Sequence, residues 1–232
     1  MKIALLGYGR MGKTIEQIAL KRGHTIVLKI EDGSDYDISK ADVAIDFSIP
    51  TAAFKNITTC IQNNVPVVSG TTGWLENYEK AVTLCKEKKG AFIYASNFSL
   101  GVNIFFELNK KLANMMKSLD QYNVSMEEIH HIQKLDEPSG TAITLAEGII
   151  ENSSKNNWIL GASDNRQEIG IKALRQPDVP GTHSVFYESE VDNITIKHTA
   201  HNRQGFALGA VIAAEWLQDK TGTFTMKDVL GI

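Results

Sequence analysis

The sequence predicts an α/β chain built in two parts: a parallel-sheet domain and a smaller α+β domain. Three observations predict it. Short apolar runs alternate with amphipathic helical stretches over the first hundred residues. A glycine-rich turn closes the first of those runs. Near residue 100 the alternation stops, and a long helix leads into strands of a different pattern.

In order, residues 3–6 read as a strand and 11–22 as a helix with Ile15, Ile18 and Ala19 inward. Residues 25–30 and 42–47 are strands, 51–63 a helix, 65–69 a strand, 75–88 a helix and 91–95 a strand. Strands that are apolar throughout and separated by helices imply a parallel sheet covered on both faces. Beyond it, residues 102–116 form an amphipathic helix, with Val102, Phe105, Phe106, Leu112 and Met116 inward. Residues 122–132 are extended and 141–150 helical. Residues 169–174, 184–190 and 193–199 are strands, the last two a hairpin. In 193–199, Ile194 and Ile196 share one side, and that apolar side is expected to need a cover from another copy of the chain. Residues 152–166 are polar and loop-like. Residues 206–217 are too apolar for a surface helix and are expected to return to the first part. The domains are therefore 1–100 with 206–232, and 101–205.

Composition excludes more than it specifies. The formal net charge is −3, with 43% hydrophobic and 22% charged residues over 232. Nothing here attracts nucleic acid or an anionic membrane over the whole surface, so an anionic ligand needs a local cluster. The apolar start at residues 3–6 is too short for a signal-peptide core, and no run reaches membrane-spanning length. A cytoplasmic location is expected. Cys60 and Cys85 form no CxxC and are expected to be reduced thiols.

The turn Gly7-Tyr8-Gly9-Arg10-Met11-Gly12 fits G-x-G-x-x-G between a strand and a helix. The first glycine permits the turn, the second a close approach of pyrophosphate, and the third close helix packing. Glu31 follows 19 residues later, at the end of the second strand, where a carboxylate accepts ribose hydroxyls. The first domain is thus of Rossmann type and binds a dinucleotide. Two further strands run into Gly70-Thr71-Thr72-Gly73 and Ala95-Ser96-Asn97-Phe98. Both loops lie at carboxyl ends of strands, where the nicotinamide end of the ligand is expected; a plain turn is the alternative for the first.

In the second domain, Glu128-Ile129-His130-His131-Ile132-Gln133-Lys134 gathers chemistry, with Asp136 beside it. His130 and Lys134 are four apart and share a side in either a strand or a helix. There is no HxH, HExxH or cysteine partner, so no metal is expected. Pro138-Ser139-Gly140-Thr141 opens a helix. Ser139 and Thr141 are capping residues in one reading, and in another part of a carboxylate site with the exposed N–H groups. A dinucleotide domain followed by a cationic, carboxylate-ready loop points to a reductase of a small acid.

These segments, with DFS-x-P (46–50), SNFSLGVN (96–103), E-x-HH-x-x-K-x-D-x-PSGTA (128–142) and R-x-x-F-A-x-GA (203–210), resemble the 4-hydroxy-tetrahydrodipicolinate reductases over essentially the whole chain. The resemblance implies a homotetramer of Rossmann and α+β domains. It implies reduction of 4-hydroxy-tetrahydrodipicolinate to tetrahydrodipicolinate with loss of water, using NADH or NADPH, in lysine and diaminopimelate biosynthesis. It makes His130 and Lys134 the proton-donor candidates and His131, Gly140 and Thr141 substrate ligands. This chain departs from the family in being shorter in the Rossmann half, in Asp32 after the ribose-binding acid where members often have Arg, and in Gln176-Pro177 after Arg175. Paired carboxylates at 31 and 32 oppose a 2′-phosphate, so NADH is expected to be preferred and NADPH usable, with Lys29 the possible counterweight. Two rivals stay open: another small-acid dehydrogenase, resembling aspartate dehydrogenase, and a non-catalytic dinucleotide-binding sensor.

Overall fold

A computed structural model describes residues 1–31, 35–202 and 204–232. The chain separates into two compact units, 1–100 with 204–232, and 101–203.

The first unit is a six-stranded sheet. Its strands are β1 (Lys2–Leu6), β2 (Thr25–Ile30), β3 (Val43–Asp46), β4 (Val67–Ser69), β5 (Ala91–Tyr94) and, late in the chain, β11 (Gly222–Phe224). The order is β11-β5-β4-β3-β1-β2 and every pair is parallel. Successive β1 residues point to opposite faces and build two cores. Ile3 and Leu5 join Ile15 and Ala19 of α1 (Arg10–Lys21) and Ala207, Ala210, Val211 and Ala214 of α6 (Gln204–Leu217). Ala4 and Leu6 join Ala53, Ile57 and Ile61 of α2 (Pro50–Gln62) and Ala81 of α3 (Tyr78–Lys88). The apolar helix near the C-terminus thus covers one face of the first sheet. Gly209 explains its closeness: a Cβ there would lie 1.7 Å from the Phe98 carbonyl oxygen. Cys60 and Cys85 are buried free thiols in the second of these cores.

The second unit is a five-stranded sheet, order β10-β9-β6-β8-β7. It comprises β6 (Asn123–His130), β7 (Asn157–Leu160), β8 (Glu168–Arg175), β9 (Gly181–Glu188) and β10 (Asn193–Ala200). Helices α4 (Leu100–Met116) and α5 (Gly140–Ile150) cover one face through Phe105, Ala113, Leu145 and Ile149.

Four expectations need correction. The stretch 152–166 contains β7, an edge strand held by Trp158, whose ring packs on the core; polar neighbours hide so short a strand. Helix α4 packs Phe106 and Leu112 on the core only in part and buries Asn109 and Ala113 fully, with Asn109 Nδ2 donating to the Leu145 carbonyl at 2.9 Å. Strand β11 and helix α7 (Met226–Leu230) were not foreseen; three and five residues are too few to show a period. Finally, the Ile194–Ile196 side is spare only in part, at Ile194, which stays exposed. Ile196 pairs with Val185 and packs on the unit's own core. The opposite face, with Ser125, Glu127, Lys172, Phe186, Thr195 and Lys197, is the helix-free one among the described residues of this unit.

Candidate active site

In the first unit the chain reverses direction across the sheet at β1, so the loops after β1, β3, β4 and β5 share one edge. Ligands of open α/β sheets bind at such an edge. Gly7 has φ +99°, and a Cβ would strike Phe47 O at 2.1 Å; at Gly12 one would strike Gly7 O at 2.2 Å. At Gly9 nothing lies within 4 Å, so the backbone is open to a ligand above it. Gly9 caps α1 without a side-chain bond, and the first turn holds no acid. Free N–H groups and the helix dipole there suit a pyrophosphate. The residues present therefore fit a dinucleotide.

The flanking predicted residues divide by role. Arg10 is exposed, and Met11 packs partly on the core. The Tyr8 hydroxyl bonds Glu16, and Lys29 Nζ lies 2.5 Å from Glu16 Oε1 and 3.3 Å from Tyr8 Oη. Glu31 is exposed. Asp32 lies outside the described residues, as does Arg203. Gly70 is required for packing, since a Cβ would meet the Phe47 ring at 2.3 Å. Thr71 is buried and its hydroxyl donates to Asp46 Oδ2 at 2.8 Å, while Thr72 is exposed. Asp46 is the feature that motif reading missed. Its buried carboxylate also accepts from Ser48, Asn56 and Ser69, which locks the strand ends beneath the ligand edge. Ala95 and Asn97 are half-buried and Ser96 is exposed. The Asn97 side chain accepts from Ser99 N, and Phe98 is core.

In the second unit, alternation along β6 sends Val124, Met126, Glu128 and His130 inward together. Register then does the assembly. Glu128 faces His183 on β9, and His130 faces Arg175 on β8. Around the Glu128 carboxylate stand Ser139 N, donating to both oxygens at 3.1 Å, Arg175 Nη1 at 3.4 Å, His130 Nδ1 at 3.5 Å and His183 Nε2 at 3.6 Å. Burial raises the Glu128 carboxyl, but the nearby His183, the hydrogen bonds from Ser139 N and the nearby His130 outweigh it, and the group falls to about 2. His130 goes to about 4, chiefly through burial, against the pull of Glu128. The donor atoms of Glu128, His130 and His183 lie within 4.8 Å of one another, a metal-like set, yet the fixed charge of Arg175 already faces that carboxylate.

The strand ends at His130 and the chain turns, with Lys134 N bonded to His131 O at 3.1 Å. Lys134 Nζ pairs with Asp136 at 2.8 Å and keeps partial exposure. His131 is half-buried beside it. Ser139 caps α5, accepting from Ala142 N at 3.2 Å, and its hydroxyl is 3.2 Å from His183 Nε2. Its side chain thus caps the helix. The first-turn N–H groups of Gly140 and Thr141 have no place in the helical ladder and suit a carboxylate. Glu128, Arg175 and His183 were not singled out from sequence. The period-2 pattern of 124–130, with a Glu and a His on its apolar side, was the signal that could have found them.

These observations describe a dinucleotide edge in one unit and a carboxylate-ready site in the other. Residues 1–98 match the model for the dihydrodipicolinate reductase N-terminus, and residues 101–230 match that for its C-terminus. The chain belongs to the dihydrodipicolinate reductase family. A 4-hydroxy-tetrahydrodipicolinate reductase of Christiangramia forsetii is 64% identical over 99% of this chain and 98% of its own. One from Neisseria meningitidis is 31% identical over 100% and 98%. Among solved structures, a dipicolinate-bound dihydrodipicolinate reductase from Paenisporosarcina superposes with TM-score 0.77 at 25% identity, covering 97% of each chain. An aspartate dehydrogenase from Thermotoga maritima, at 13% identity and TM-score 0.52 over 95% and 97%, shares the fold alone. No helix among the described residues is long and apolar enough to cross a membrane.

Proposed function

We propose that this chain reduces 4-hydroxy-tetrahydrodipicolinate to tetrahydrodipicolinate with loss of water, in lysine and diaminopimelate biosynthesis. The observation that carries the reading is the turn after β6, with the Lys134 ammonium and the His130 and His131 rings, together with the open N–H groups of α5. The first unit, 1–100 with 204–232, serves as the dinucleotide domain, and the second, 101–203, as the substrate and tetramerisation domain. Bound NAD(P)H supplies a hydride. Gly7 to Gly12 hold its pyrophosphate, and the loops at 70–72 and 95–98 border its other end. Gly140 and Thr141 N–H, with His131 and Lys134, hold the substrate carboxylates. Ser139 supports them from beneath.

The proton comes from Lys134. Burial holds His130 down to about 4, so its neutral form predominates at pH 7 before substrate binds. Lys134 serves as carboxylate clamp and acid together; His130 serves as a neutral hydrogen-bonding partner. The reading is tested by adding purified protein to the synthase that makes the substrate and following NADH oxidation. Oxidation is expected there and not with oxaloacetate and ammonia; the reverse pattern would make the chain an amino-acid dehydrogenase.

NADH is the preferred cofactor and NADPH a usable one. Glu31 accepts the adenosine ribose hydroxyls. Lys29, the cation nearest along the strand, is neutralised by Glu16, and that bond raises its pKa. Glu16→Gln releases Lys29 and is expected to shift the ratio of catalytic efficiencies toward NADPH severalfold. A wild-type preference for NADPH overturns this assignment.

The assembly is a homotetramer, built on the helix-free sheet face. Phe186 there lies among Ser125, Glu127 and Lys172, beside a hollow of about 400 Å³. Sedimentation at micromolar concentration is expected to give four times the chain mass, and a monomer would refute it. The protein works in the cytoplasm.

Burial of His130 also sets acid lability. A ring held near 4 against an ordinary 6.5 contributes stability that is complete above 6.5 and lost as pH falls toward 4. Glu128, held near 2 against 4.5, adds a second loss between those values. Denaturation midpoints are expected to decline from pH 6.5 downward, and less steeply in His130→Gln. Identical slopes in the two proteins would exclude His130 as the cause.

A further inference from the structure

We propose that Glu128 is the positioning residue of this site, its carboxylate fixing the opening of α5 and the rings of His183 and His130 in one arrangement. The inference rests on reading the site as the reductase's substrate site. Glu128 is fully buried, so no ligand reaches it, and it acts through others. A buried carboxylate is costly unless every lone pair is used. The residues on the same side of β6, Val124 and Met126, are apolar and fill the core without that cost. The charge stands where β6 ends and the catalytic turn begins.

The two anchors of Ser139 are what it organises. The amide of Ser139 is held by both Glu128 oxygens, and its hydroxyl lies between Ala142 N and His183 Nε2. With both ends fixed, the N–H groups of Gly140 and Thr141 keep one direction. His183 Nε2 faces two acceptors, the Ser139 hydroxyl and Glu128, which favours the tautomer protonated on Nε2. His130 turns Nδ1 to Glu128 and Nε2 to Gly181, where a Cβ would stand at 3.1 Å. The rings of His130 and His183 meet edge to face at 5.0 Å, so a shift in one moves the other. Arg175 completes the set, donating to the Lys134 carbonyl at 3.3 Å and the Asp136 carbonyl at 2.7 Å. The turn that holds Lys134 is thereby tied to the same carboxylate.

The test compares Glu128→Gln, His183→Leu and His183→Gln in the full-length enzyme. Misplacing a supporting group is expected to lower kcat/KM about 10- to 100-fold in Glu128→Gln, with NADH affinity within twofold of wild type. His183→Leu is expected to raise KM for the substrate about tenfold, and His183→Gln, which restores a donor, to recover most of it. A merely structural role would lower the melting temperature and leave kcat and KM of the folded enzyme unchanged. That result overturns the proposal. If Glu128→Gln does not fold, the His183 pair decides: wild-type constants in His183→Leu refute it. Imidazole ¹⁵N spectra separate this idea from the functional reading. If wild type fails to turn over the substrate, the functional reading falls. The array then stands only if Glu128→Gln disturbs the His130 and His183 tautomers, and unchanged tautomers overturn it.

Discussion

Replacing Lys134 with alanine is expected to lower turnover by roughly 10²–10⁴-fold, the range of a lost general acid. The side chain stands on a turn pinned by Arg175 and pairs with Asp136. Removing the ammonium leaves the Asp136 carboxylate facing a dianionic substrate, so KM should rise as well. NADH affinity should hold, because the glycine turn belongs to the other unit. Lys134→Arg separates the two roles. A guanidinium keeps the positive charge but does not release a proton near neutral pH. It is expected to restore KM toward wild type while kcat stays low. Steady-state kinetics on the three proteins decide the matter. Near-normal turnover in Lys134→Ala would move the proton donor elsewhere.

The largest expected effect on stability is at Asp46. Burial pushes its carboxyl above the ordinary carboxylate range, and hydrogen bonds from Ser48, Asn56, Ser69 and Thr71 offset only part of that. Those donors lie at 2.7–2.9 Å. Asp46→Ala leaves them around an empty space, which costs roughly 3–5 kcal/mol, as for a broken buried charge network. For a chain of this size that corresponds to a melting temperature about 6–20 °C lower. The loops of Ser48 and Thr71 border the dinucleotide edge, so NADH binding should weaken in parallel. Asp46→Asn, which retains an acceptor, should fall in between. A thermal scan of Asp46→Ala within about 2 °C of wild type would show that the donors find other partners.

Much of this was legible in the sequence because it rests on local rules. The glycine turn needs three small residues at fixed spacing, and parallel strands are apolar on both sides. The boundary near residue 100 shows as a change of period. What escaped reading depends on register. Whether Ile196 faces its own helices or a neighbour follows from its pairing with Val185 and Val185 with Met126, and no pattern within 193–199 contains that. Glu128 meets His183 through pairing across 55 residues of chain. Asp46 is the same kind of case. DFS-x-P was visible as a motif, but its acceptor role appears only when β4 brings Ser69 and Thr71 beside it. Strand β7 was hidden for another reason: its four residues, Asn157–Leu160, are too few to show a period and stand between polar stretches.

The most direct measurement is a single turnover with NADH deuterated at the transferring carbon, the synthase-made substrate and the wild-type enzyme, followed by mass spectrometry of the product. Substrate, NADH and one proton should yield NAD⁺, water and a product with one oxygen fewer than the substrate. That product should carry one deuterium on a ring carbon, one equivalent per NADH consumed. Consumption of NADH without a deuterated, dehydrated product, or unchanged NADH in the presence of substrate, would contradict the assignment.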